Sequence, residues 1–140
     1  MIQSRYSVTI NATIEIVWQK LIDIKKWASW HPTLSNINLT DTTIKSGLVF
    51  TYQYDKTKLK AEVLEIIPHK TFKFKATAKG VTGINTWTLE EKDGQVTVYD
   101  YEEMNGLIVW LFKKQFQKGL EEGMKNWLEN FKSSFSNNEK

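Results

Sequence analysis

Residues 34–103 read as short runs in which apolar and polar side chains alternate, cut by turn signals at Gly47, Asp55-Lys56, Pro68-His69-Lys70, Lys79-Gly80 and Asp93-Gly94. Alternation with period two places one set of side chains on each face of a strand. The stretch therefore predicts an antiparallel meander of about six strands. Ahead of it, Tyr6, Val8 and Ile10 alternate with Ser7 and Thr9, adding a first strand over about Ser4 to Ile10. Behind it, Leu107 to Phe135 contains no proline. There Ile108, Phe112, Phe116, Leu120, Met124, Trp127, Phe131 and Phe135 recur at steps of three and four, which predicts one long amphipathic helix.

Between the first strand and the meander, Ile14, Val17, Trp18, Leu21 and Ile22 fall at helical spacing behind Thr13 or Asn11 as a cap. Lys25 to Trp30 adds a second short helix that Pro32 ends, because proline disfavours helix in the residue before it. Strand, short helices, meander and long helix make an α+β order, with the helices gathered on one face of an antiparallel sheet. A twisted sheet of seven strands curls, and its concave face needs a cover. A straight helix cannot touch a curved sheet everywhere, so a hollow is expected between them.

The Asp93-Gly94 turn fixes a register. A two-residue loop pairs Lys92 with Gln95, and counting outward pairs Leu89 with Val98, Trp87 with Asp100 and Asn85 with Glu102. Trp87, Leu89, Val96 and Val98 mark the buried face, and alternation puts Asp100 there too, opposite Trp87. Glu102 and Asn85, closer to the strand ends, are expected to be solvated. The same alternation turns Phe50, Tyr52 and Phe74 inward.

The run Ile10 to Trp18, followed by Trp27, Trp30 and Pro32, resembles the opening of the START-like (SRPBCC) superfamily, which includes pollen allergens and polyketide cyclase/dehydrase-like proteins. Gly47-Leu48-Val49-Phe50, Val63 to Pro68, and Trp87-Thr88-Leu89-Glu90 with Asp93-Gly94 are similar to its later strands, and Gly119 to Leu128 to the end of its long helix. The resemblance covers nearly the whole chain and rests on the order of motifs. It implies a helix-grip fold: a curved seven-stranded antiparallel sheet wrapped on a long C-terminal helix, with two short helices after the first strand, and a hydrophobic cavity. The superfamily hosts lipid carriers, hormone receptors, ring cyclases and chaperone activators, so the fold leaves function open. Asp100 stands where relatives often carry a less acidic residue.

The length of 140 residues predicts a single domain over 1–140, with a polar tail at about 136–140 that frays. The six tryptophans imply an aromatic core. With no cysteine, thiolate nucleophiles, disulfides and cysteine metal ligands are excluded. His31 and His69 form no ligand spacing, and the chain has neither a glycine-rich phosphate loop nor a Gly-x-Ser-x-Gly elbow, so no metal and no cofactor are expected. Neither a signal peptide nor a membrane span is legible, which predicts a soluble, cytoplasmic protein. The net charge of +3 comes from scattered lysines and reads as solvated outer faces rather than a nucleic-acid surface.

The expected partner is a small hydrophobic or aromatic molecule held against Trp27, Trp30, Phe50, Tyr52, Phe74, Trp87, Phe116, Leu120 and Met124, with Asp100 as the orienting polar group. Trp27, Trp30 and Trp87 could stack on a planar ligand, although aromatic residues at such spacings are more often plain core. Gly119 and Gly123 thin the last helix and either make room for a ligand or let a large side chain pack closely. An acid–base enzyme of the cyclase or dehydratase kind would use Asp100, His31 and Tyr52. Against this, His31 also reads as a helix-end histidine bonded to backbone, and Asp100 as a satisfied core group. A binder needs only an apolar cavity with one or two orienting groups, an enzyme at least two polar groups converging on one bound molecule, so binding is the expected function. A protein-interaction or chaperone-regulator module using the lysine-rich outer faces is the remaining class. His69 is expected to serve only its turn, and the oligomeric state is not legible.

Overall fold

The computed structural model describes residues 1–138, with side chains through Phe135. Strand β1 (Ile2–Ile10) leads into helix α1 (Ile14–Ile22), a 3₁₀ turn (Ile24–Lys26) and the one-turn helix α2 (Trp27–Trp30). Strands β2 (Leu34–Leu39), β3 (Val49–Tyr54), β4 (Thr57–Ile67), β5 (Thr71–Ala78), β6 (Val81–Lys92) and β7 (Gln95–Asn105) follow, then helices α3 (Leu107–Leu111) and α4 (Lys113–Asn138). The seven strands form one antiparallel sheet in the order β1-β7-β6-β5-β4-β3-β2.

Local chemistry sets these elements. The Thr13 hydroxyl accepts from the Ile16 backbone N–H at 3.4 Å and caps α1. Asp93 and Gly94 both take positive φ, 53° and 77°, as a two-residue hairpin turn of the favoured twist requires. The register of β6 against β7 is the one counted from that turn, with Trp87 opposite Asp100 and Asn85 opposite Glu102. Irregularities between Val63 and Glu65 in β4, and between Ser35 and Asn38 in β2, insert bulges that bend their strands and curl the sheet.

The core fills one end of the concave face. Val17, Trp18 and Leu21 of α1, Trp27 and Trp30 of α2, and Leu128, Phe131 and Phe135 of α4 pack on the inward residues of the sheet. A smaller cluster of Ile2, Val109, Leu120 and Met124 lies apart from it. The space between the two is where the site forms.

The C-terminal segment departs from the single helix expected from Leu107. Phe112, with φ −122° and ψ 49°, breaks it into α3 and α4. The apolar spacing runs through the break, but α3 stands on the tip of the β5–β6 hairpin, where Ile108 lies against Gly80. Only Val109 of α3 reaches the interior, so Ile108 and Phe112 do not join the buried stripe. Helix α4 continues to Asn138, and the fraying expected of 136–140 concerns residues at and beyond the edge of the described side chains. Among the described residues no helix is long and apolar enough to cross a membrane.

Candidate functional site

Between the first half of α4 and the inner faces of β3 to β7 lies a cavity of about 490 Å³. Phe74, Ala76 and Trp87 form its floor, Tyr52, Tyr54 and Leu59 one wall, and Phe116, Leu120, Met124 and Trp127 its roof. Small residues keep it open. A Cβ on Gly119 would meet nothing within 4 Å, and one on Gly123 would meet only the Tyr54 hydroxyl at 3.8 Å. Thr57, Gln115 and Gly119 are both on its lining and exposed, which marks the mouth.

One carboxyl faces this apolar space. Glu102 on β7 lines the cavity beside Asn85 and Gly83 of β6. Its carboxyl needs the missing side chain of its neighbour, since a Cβ on Gly83 would stand 2.9 Å from Glu102 Oε2. The residue is half-buried, and desolvation by burial pushes its pKa up to about 8. At neutral pH it is mostly a neutral acid, able to donate a hydrogen bond. Tyr52, across the cavity, has its phenol raised by burial and then by the Glu102 charge.

Asp100 is inward-facing but lies deeper than the cavity wall. It is 2 % exposed, and its Oδ1 has no hydrogen-bond partner. Burial, and secondarily the Glu102 charge, raises its pKa well above the usual carboxylate range. Two acids two positions apart on the inner face of β7 therefore both favour the protonated form.

His31 does not line the cavity. Its ring is fully buried behind the cavity wall, 4.5 Å from Trp127 and 5.7 Å from Tyr54 between ring centroids, and neither ring nitrogen has a partner. Burial lowers its pKa to about 4, so it is neutral near pH 7. Only its backbone is bonded, donating to the Trp27 carbonyl at 2.9 Å.

Of the side chains expected around a ligand, Tyr52, Phe74, Trp87, Phe116, Leu120 and Met124 come together on the cavity. Trp27, Trp30, Phe50 and Asp100 do not line it. Trp27 is fixed in the closed end by its indole N–H donating to the Leu21 carbonyl at 2.8 Å, with Phe50 edge-on to it at 5.7 Å. Trp30 is held against Phe131 at 5.0 Å, beyond Trp127. The α1–α2 end of the grip is thus filled by its own aromatics, and the opening is at the other end. Glu102 and Asn85, expected to be solvated, sit inside it; the alternation that placed Asp100 inward also places Glu102 inward, and that signal was available in the sequence. Among the described residues no three His, Cys, Asp or Glu side chains gather as metal ligands.

A curved seven-stranded sheet that holds a long C-terminal helix over an apolar cavity defines a helix-grip protein. The chain belongs to the polyketide cyclase / dehydrase and lipid transport family, whose model matches residues 1–136. That membership agrees with the START-like resemblance of the sequence. The fold is similar to that of a Helicobacter pylori protein, with a TM-score of 0.81 and 19 % identity over 95 % of this chain and 87 % of the other. It is similar to XoxI of Bacillus cereus, with a TM-score of 0.80 and 18 % identity over 100 % and 99 %. Ara h 8.0201 superposes with a TM-score of 0.70 and 10 % identity over 97 % and 98 %. At these identities the likeness is one of fold. No curated protein matches the sequence.

Proposed function

We propose that the protein binds a small, largely apolar molecule in this cavity, with Glu102 as the group that orients it. The observation that carries this reading is an apolar chamber of about 490 Å³ with the Glu102 carboxyl and the Asn85 amide on one wall. That size lies within the range of small-molecule sites, which pair apolar walls with a few placed polar groups. A neutral carboxyl suits a ligand carbonyl or hydroxyl and repels a carboxylate less than an ionised one would. Asp100 lies deeper than the cavity wall and is itself held towards the protonated form by burial and then by the Glu102 charge.

The acid–base reading has one specific observation in its favour, a cavity acid whose proton is exchangeable near pH 8. It lacks a converging base. The Tyr52 phenol is raised away from neutrality and His31 stands behind the wall, so binding is the reading the geometry supports best.

Native mass spectrometry of freshly purified protein, followed by titration with a hydrophobic fluorescent dye, tests the proposal. Dye binding is expected to raise the melting temperature, and Leu120→Trp, which fills the roof, to abolish it. Affinity for a neutral probe with a keto group should fall as pH rises through about 8 in the wild type, but not in Glu102→Gln. A protein whose melting temperature and spectra ignore every probe is not a binder of this kind.

A further inference from the structure

We propose that α3 and the start of α4 form a docking surface for lipid bilayers bearing anionic headgroups. Within Leu107–Phe112 only Val109 is buried, while Leu107 is 68 % exposed, Trp110 72 %, Leu111 56 % and Phe112 51 %. Single exposed apolar side chains are ordinary, but a contiguous run that includes a largely exposed indole marks an interaction site.

The run is a built feature and not a loose end. Gly106, at φ +137°, packs so closely on the Gly80 carbonyl that no Cβ fits between them. A Cβ on Gly80 would in turn lie 2.6 Å from Ile108 Cδ1. Two glycines thus seat α3 on the β5–β6 turn with Val109 inward and its other large side chains outward.

Charge identifies the occupant. From Gly106 to Leu120 the charged residues are Lys113, Lys114 and Lys118, all exposed, and none is acidic. The supporting turn adds Lys79, also exposed. An exposed apolar run that contains a tryptophan and is followed by lysines matches a bilayer boundary, where rings enter the acyl edge and ammonium groups stay among anionic headgroups. Six residues are far too few to span, so the contact is interfacial. A second copy of the chain is a poorer fit, because a two-fold contact through this run would bring the lysine sets of both copies together. Gln115 and Gly119, within the next two turns of α4, belong to the cavity mouth. Docking therefore sets that mouth at the lipid, and this last step rests on the cavity reading above.

Flotation of the full chain with vesicles of phosphatidylcholine, alone or mixed with phosphatidylglycerol, tests the proposal. The wild type is expected to float with the mixed vesicles and to be partly released by salt. Trp110→Ser combined with Leu111→Ser should lose binding by at least about tenfold. Lys113→Gln with Lys114→Gln should lose about tenfold on mixed vesicles only. All four side chains are exposed, so melting temperatures should not change, and dye uptake without vesicles should be normal in both variants. Equal flotation of wild type and the serine variant overturns docking. So does a wild type that never floats but forms a dimer that the serine variant dissolves. A chain that floats yet takes up no dye keeps the docking surface and refutes the cavity reading instead.

Discussion

Burial moves Glu102 and His31 in opposite directions on the pH scale, to about 8 and about 4. His31 in the unfolded chain takes a proton near its ordinary pKa of 6.5, whereas the folded ring refuses it until about 4. Its contribution to stability is therefore complete above 6.5 and shrinks as pH falls through that window. Glu102 runs the other way: the folded state keeps a proton that the unfolded chain releases from its ordinary pKa of 4.5 upward, so stability declines as pH rises towards about 8. Asp100 adds to this slope in the same sense. Below 6.5 histidine and acids offset one another, and above it only the acids act. The melting temperature is expected to fall between about pH 6.5 and 8.5, with each retained proton costing up to about 1.4 kcal/mol per pH unit. Glu102→Gln should flatten that slope without abolishing it, since Asp100 remains. Parallel slopes for wild type and variant in a pH series of thermal melts would show that Glu102 is ionised in the fold. Glu102 also marks what one chain of letters hides. Its inward direction follows from alternation, but whether the end of a strand is wet depends on what crosses over it. Here α4 crosses, and Gly83 gives the carboxyl its room.

Helix α4 holds two glycines in its interior, each costing about 1 kcal/mol relative to alanine. Gly119→Ala meets no neighbour and is expected to stabilise the fold by about 0.5–1 kcal/mol in urea melts. Gly123→Leu points a larger side chain toward the Tyr54 hydroxyl and should lower dye affinity while leaving the helix intact. Glycine at Gly106 has a different purpose. Gly106→Ala places a methyl on the Gly80 backbone at a φ that L-residues avoid, and should cost more than about 2 kcal/mol. It should also free α3 from its seat and weaken vesicle flotation; a variant as stable as the wild type would show that α3 reseats easily. The elements themselves were legible where short-range chemistry decides them. The Asp93-Gly94 pair fixed a hairpin register to the residue, because a two-residue turn leaves no slack. The break at Phe112 was not legible, because apolar spacing reports the helical period and not the surface the helix meets. Trp27, Trp30 and Phe50 share that ambiguity: ring and spacing are the same for a core residue and a pocket wall, and only the closing of α2 onto α4 makes them core.

At the scale of the molecule, the order of motifs was enough for the architecture, since a meander followed by one long apolar stripe has few ways to bury itself. The sheet order carries a further consequence. Strands β2 to β6 each pair with the next in sequence, but β1 pairs only with β7, Ile2 opposite Met104, and Tyr6 donates to Glu129 of α4 at 2.6 Å. Strand β1 is thus made before every other strand of the sheet and is among the last to find its place. At roughly 5–20 residues per second, β1 waits on the order of ten seconds for β7 to be synthesised, with its pairing edge unmet and the Trp18 face of α1 uncovered. A nascent chain of this design needs shelter for its N-terminal segment while the meander assembles, and the rate of translation up to β7 sets how long that shelter must last.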